Sequence, residues 1–115
     1  MMDITTKVQD GATVIGISGS LDGNTVNDAQ QKIMPLLSSN DLVLLIDLTE
    51  CRYISSAGLR LLLMAAKQIA AQNGNLALCG LSAEIKDVME MTGFHNFFKT
   101  FDTVAGAMAA LRKEG

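Results

Sequence analysis

The stretch Leu42-Val43-Leu44-Leu45-Ile46-Asp47 leads through Leu48-Thr49-Glu50-Cys51-Arg52-Tyr53-Ile54 into Ser55-Ser56-Ala57-Gly58-Leu59-Arg60-Leu61-Leu62-Leu63-Met64. Leu42 to Ile46 is an unbroken apolar run between polar flanks, the pattern of a strand buried on both faces. From Ala57 to Ala71 the spacing predicts a helix, with Leu59, Leu62, Leu63, Ala66 and Ile69 or Ala70 as its inward stripe. Asn73-Gly74 ends that helix, and Leu76 to Cys79 reads as the next strand. Asp47 to Ser56 reads as the connection between strand and helix. Strand, helix and strand in this order make a right-handed crossover between parallel strands.

On the N-terminal side of this unit, Thr5 to Val8 and Ala12 to Ser18 flank the turn signal Asp10-Gly11 and predict an antiparallel hairpin. Val14 faces one side of the second strand, and Thr13, Ile15 and Ile17 face the other. Gly19 to Thr25 reads as a turn-rich connection. Asn24 or Thr25 then caps a helix from about Val26 to Leu37, which Pro35 kinks or ends early. On the C-terminal side, Ser82 caps a helix from Glu84 to Met91 that Gly93 terminates. Phe97 to Phe101 forms a last short strand and Thr103 to Lys113 a last helix. The expected architecture is a single α/β domain over residues 1–115, with about four helices on a mixed, mostly parallel sheet. That sheet has about five strands and begins with the hairpin.

One domain is also what 115 residues support, and an interdomain catalytic cleft is excluded. With 9 Lys and Arg against 12 Asp and Glu, the net charge of -3 gives no general attraction to nucleic acid or to an anionic membrane surface. No apolar run reaches the roughly 18 residues of a membrane span; Arg60 interrupts the best candidate and Lys67 ends it. Met1-Met2-Asp3-Ile4 lacks the features of a signal peptide, so the expectation is a soluble, cytoplasmic protein without membrane insertion.

Little in the chain points to catalysis. No Gly-rich phosphate loop or nucleophile elbow follows any strand. His95 is the single histidine, too few for a His-based metal site, and Cys51 and Cys79 sit in apolar contexts as small buried hydrophobes. No metal or cofactor is expected. A small enzyme would have to be built from His95, Ser56 and Asp22 or Asp47, and no local signature supports one.

Ser55 and Ser56 stand where a buried strand gives way to a long apolar helix. Serine is a good N-cap, and Gly58 permits tight packing, so a purely structural role accounts for both. The same geometry suits phosphate, because a helix N-terminus offers free amides and partial positive charge. A phosphoserine there adds about -1.5 to -2 charge without disrupting the fold. Both readings fit the residues.

Four segments together resemble a known family. They are Gly19-Ser20-Leu21-Asp22, the strand Leu42 to Asp47, Tyr53-Ile54-Ser55-Ser56-Ala57-Gly58-Leu59, and Met91-Thr92-Gly93-Phe94. The chain is similar over nearly its whole length to a STAS domain of the bacterial anti-sigma factor antagonist type. In that family the phosphorylated serine lies in Asp-Ser-Ser/Thr-Gly-Leu. Laid on this chain, the aspartate falls at Ser55, the phosphoacceptor at Ser56, the next hydroxyl residue at Ala57 and the glycine at Gly58. The acidic neighbour is therefore missing, and Ser55 is a second candidate acceptor. Asp22 matches the family's acidic residue in the loop before the first helix, although a turn or capping aspartate also explains it.

The resemblance implies partner switching by a binding module rather than an enzyme. The unphosphorylated form would bind an anti-sigma factor that is also a GHKL-type serine kinase. Phosphorylation of Ser56 would release it, and a PP2C-type phosphatase would reset the switch. Asp22, Tyr53, Ser55, Ser56, Gly58 and Arg60 would form or border the contact surface. The alternatives are a stand-alone STAS accessory subunit of a transport complex, or an interaction domain in which Ser56 is only a cap. Composition is compatible with a monomer or a weak dimer.

Overall fold

Two apolar faces on one sheet organise the molecule. The computed structural model describes residues 2–38 and 42–114, with side chains described through residue 111. Six strands lie in one sheet: β1 (Met2–Gln9), β2 (Ala12–Leu21), β3 (Val43–Asp47), β4 (Cys51–Ile54), β5 (Asn75–Cys79) and β6 (Lys99–Phe101). The order is β1-β2-β3-β5-β6, with β4 also paired to β2. β1 and β2 are antiparallel, and the other pairings are parallel.

The helices are α1 (Val26–Ile33), α2 (Ser56–Ala71), α3 (Ala83–Thr92) and α4 (Val104–Glu114). Ala29 and Ile33 of α1, Leu59 and Leu62 of α2, and Ile85 and Met89 of α3 share the larger core with Ile15, Ile17, Leu44 and Ile46. Ala107, Met108 and Leu111 of α4 pack with Ala12, Val14, Leu45, Ala77 and Cys79 in a second, smaller core. Leu44 and Ile46 thus point into one core and Leu45 into the other. This two-sided burial is why β3 is an unbroken apolar run instead of an alternating one.

The hairpin, the parallel crossovers and the four helices follow the sequence expectation, and several boundaries move. β2 continues through Gly19-Ser20-Leu21, where a turn is expected, because pairing with both β1 and β4 satisfies that backbone. The expected connection from Asp47 to Ser56 contains β4, raising the strand count to six. The α-helical part of α1 ends at Ile33, and Met34–Leu37 tightens to a 3-10 turn around Pro35, which lacks an amide donor. Thr25 occupies the N-cap position without capping. Its hydroxyl instead donates to the Ser20 carbonyl at 2.8 Å and accepts from the Asp22 amide at 3.0 Å. Phe97 closes another 3-10 turn, Phe94–Phe97, so the last strand is confined to Lys99–Phe101.

Along α2 the buried set is Gly58, Leu59, Leu61, Leu62, Ala65 and Ile69. Leu63 and Ala66 are half-buried and Ala70 is exposed. The stripe is turned toward Leu61 and Ala65 because the start of the helix rests on the ends of β2 and β4. Gly93, at φ 77°, closes α3 in the left-handed conformation that favours glycine.

Candidate functional site

β3 reaches only to Asp47, opposite Gly16 of β2. The Asp47 carboxylate accepts from the Thr49 amide at 3.0 Å and from its hydroxyl at 2.6 Å, turning the chain aside. The Gly19 amide then donates to the Glu50 carbonyl at 3.0 Å, and Cys51–Ile54 resumes the ladder beside Gly19–Leu21. A register shift between Gly19 and Ser20 leaves Arg52 as the extra residue, so Arg52 and Tyr53 are both exposed while Cys51 and Ile54 are buried.

Leu21 pairs with Ile54, and the Ser55 amide donates to the Leu21 carbonyl at 2.9 Å. This bond fixes where α2 begins. Ser55 is its N-cap, with extended backbone (φ -94°, ψ 172°), and its hydroxyl oxygen accepts from the Gly58 amide at 3.3 Å. The pairing also brings Asp22, the residue after Leu21, beside the start of the helix.

The two serines therefore have different duties. Ser55 is half-buried, and its hydroxyl is engaged in the cap. Ser56 is the first helical residue; its side chain is exposed and its hydroxyl bonds to nothing among the described residues. No acidic residue lies in the first turn of α2 itself, and Asp22 is the carboxylate that the fold brings toward its positive end.

Around Ser56 the predicted residues divide between surface and packing. Tyr53 (53% exposed) and Arg60 lie on the surface, with Arg60 one helical turn after Ser56. Asp22 is half-buried, and its carboxylate accepts from the Asn24 amide at 2.9 Å while its carbonyl accepts from the amides of Thr25 and Val26. Gly58 is buried. A Cβ there would lie 2.8 Å from both Cγ and the carbonyl oxygen of Leu21 and 2.9 Å from Cγ1 of Ile54. Its direct part is thus to let α2 approach β2 and β4, and the surface lies outside it. Leu21 is the residue that sequence reasoning missed. Its apolar side chain gives no sign that its carbonyl positions Ser55 and its body supports Gly58.

The remaining chemically capable side chains are dispersed. His95 places Nδ1 3.3 Å from the Met89 carbonyl, where the ring nitrogen acts as donor. No hydrogen bond joins His95, Ser56, Asp22 or Asp47 among the described residues. Both cysteines are buried free thiols. Burial raises the Cys51 thiol above its ordinary value, opposed by hydrogen bonding to the Tyr53 and Leu21 backbones. Burial, reinforced by Asp47, pushes Cys79 up to about 11. Among the described residues no cluster of His, Cys, Asp and Glu could hold a metal, and no helix is long and apolar enough to cross a membrane.

This strand order, with its interrupted β3–β4 edge delivering two serines to a helix start, defines a family. Residues 3–107 match the STAS domain, and the chain belongs to that family. It is 29% identical over 111 residues to a protein of Bordetella bronchiseptica named as the anti-sigma factor antagonist BtrV, covering 96% of each chain. The crystal structure of an anti-sigma factor antagonist from Mycobacterium paratuberculosis superposes with TM-score 0.88 at 22% identity, over 97% of this chain and 95% of that one. The phosphorylated form of the Bacillus cell fate determinant SpoIIAA superposes with TM-score 0.70 at 19% identity, over 95% and 99% of the two chains.

Proposed function

We propose that this chain is an anti-sigma factor antagonist that works by partner switching, with Ser56 as its phosphoacceptor. The observation that carries the assignment is the division of labour at the start of α2. Ser55 makes the cap, and Ser56 presents an exposed hydroxyl that bonds to nothing among the described residues. A kinase reaching Ser56 disturbs no native hydrogen bond. Ser55, by contrast, is half-buried, and its hydroxyl is already engaged by the Gly58 amide, so a kinase would have to displace that contact to reach it. The similarity to BtrV supports the antagonist role, and the phosphorylated form recorded for SpoIIAA supports a phosphate-controlled one.

The unphosphorylated surface around Asp22, Tyr53, Ser56 and Arg60 binds an anti-sigma factor that is itself a GHKL-type serine kinase. Phosphate adds about -1.5 to -2 charge at its centre. The helix N-terminus tolerates that charge within the fold, whereas an interface packed against a neutral serine does not. Release therefore requires no refolding of the antagonist, and a PP2C-type phosphatase restores the binding form.

The test uses a GHKL-type kinase partner purified from the native organism, ATP and four forms of the chain: wild type, Ser55→Ala, Ser56→Ala and Ser56→Asp. Circular dichroism first establishes that all four are folded. Phosphate mapped by mass spectrometry is expected on Ser56 in wild type and Ser55→Ala and nowhere in Ser56→Ala. Ser56→Asp is expected to bind the kinase about 100-fold more weakly than wild type, equivalent to roughly 2.7 kcal/mol. Phosphate on Ser55, or equal binding by Ser56→Asp and wild type, would overturn the assignment.

A further inference from the structure

The two outer edges of the sheet are unequal. β6 has three residues, whereas β1 has eight and pairs with β2 in unbroken register from Met2↔Gly19 to Gln9↔Ala12. β1 is the end strand, and Asp3, Thr5, Thr6, Lys7 and Val8 are exposed along it, Val8 by 76%. Its core, Ile-Thr-Thr-Lys-Val over residues 4–8, is rich in β-branched residues, and it contains no proline or bulge. Edges of this length and regularity pair with other strands unless something blunts them. Lys7 and Asp3 are the charges available to do so.

We propose that β1 is the contact through which two copies of this chain associate, as antiparallel strands about a two-fold axis at Thr5. In that register Asp3 of each copy lies directly opposite the partner's Lys7, twice by symmetry. Met2 lies opposite the partner's Val8 and Ile4 opposite the partner's Thr6. Directly opposed residues share a face, so the charges meet on the α4 side of the sheet, where Asp3, Thr5 and Lys7 align with Ser18, Gly16 and Val14. Val8, 76% exposed in the single copy, lies directly beside Met2 of the other copy on the opposite face of the sheet.

Charge selects this register over its competitors. Parallel strands in register would oppose Asp3 to Asp3 and Lys7 to Lys7. Antiparallel strands centred on Asp3 or on Lys7 would oppose like charges as well, and a shift of one residue leaves both charges opposite neutral side chains. An interface of eight residues per copy falls below the size of a standard stable complex, so the dimer is weak. β4 and Ser56 lie on the other side of β2, and the association leaves the phosphoacceptor open; the inference does not depend on phosphorylation.

Sedimentation of the full chain at concentrations up to about 1 mM tests it, through a charge swap. Wild type is expected to show a concentration-dependent dimer. Lys7→Asp, at an exposed position, is expected to weaken it by about tenfold or more, because like charges now face each other twice. The double variant Asp3→Lys with Lys7→Asp restores the complementarity and the dimer. Independently, Thr5→Cys places two thiols across the axis, close enough for a disulfide-linked dimer on mild oxidation. The native thiols are buried and do not compete. A chain that remains monomeric throughout, a dimer indifferent to Lys7→Asp, a double variant that does not recover, or a Thr5→Cys chain that forms no linked dimer would each overturn the proposal.

Discussion

α2 and α3 begin in the same way and are finished differently. Each has a serine N-cap in extended conformation whose oxygen accepts from the amide three residues on: Ser55 from Gly58 at 3.3 Å, Ser82 from Ile85 at 3.1 Å. After Ser82 come Ala83 and Glu84, and the carboxylate sits in the first turn, where it complements the helix dipole. After Ser55 come Ser56 and Ala57, with no acidic residue in the turn. The start of α2 is also held from beneath, by the Leu21 carbonyl on the Ser55 amide and by Leu21 and Ile54 against Gly58. The difference separates a helix start that is complete in itself from one that is rigidly held, has no acidic residue in its own first turn, and presents a hydroxyl that bonds to nothing among the described residues.

The largest effect on stability should come from the clamp beneath α2. Gly58→Ala gains helix propensity but drives a methyl into Leu21 and Ile54, including the backbone oxygen of Leu21. A net loss of about 2 kcal/mol is expected in urea denaturation. Unchanged stability would show that α2 is no more closely held than α3. Next come the caps: Ser55→Ala and Ser82→Ala should each cost about 1 kcal/mol, and a large inequality would break the equivalence of the two serines.

The dipole term is smaller and should change sign between the helices. Ser56→Asp adds the missing first-turn charge and should raise stability by about 0.5 kcal/mol at low salt, while Glu84→Gln lowers it by a similar amount. Both effects should shrink in high salt. Smallest of all, Ser56→Ala should stay within about 0.5 kcal/mol of wild type, because the hydroxyl removed is exposed and bonds to nothing among the described residues. A larger loss would mean that Ser56 shares the capping role, and the contrast with Ser55 would weaken.

The legibility of these features follows the range of the interactions behind them. β3 and α2 are written as a continuous apolar run and a helical stripe, and Ser82 and Gly93 mark the bounds of α3 by local chemistry. β4 is hidden because a bulge exposes both Arg52 and Tyr53, erasing alternation over only four residues. Gly19–Leu21 looks like a turn because its glycine and serine are turn formers; Gly19 does take a positive φ of 88° at the register shift, and the flanking strands keep the segment in the ladder. Thr25 looks like a cap, but the Ser20 carbonyl takes its hydroxyl.

By itself the sequence determined the class of fold, the serine pair at the head of α2 and the resemblance to its family, because apolar periodicity and motif spacing are properties of the chain taken in order. Tertiary structure alone decided which serine caps and which bonds to nothing among the described residues, that Gly58 is buried against Leu21 and Ile54, and that Leu21 fixes where α2 begins. These depend on the pairing of Leu21 with Ile54, a contact between residues 33 positions apart that no local pattern encodes.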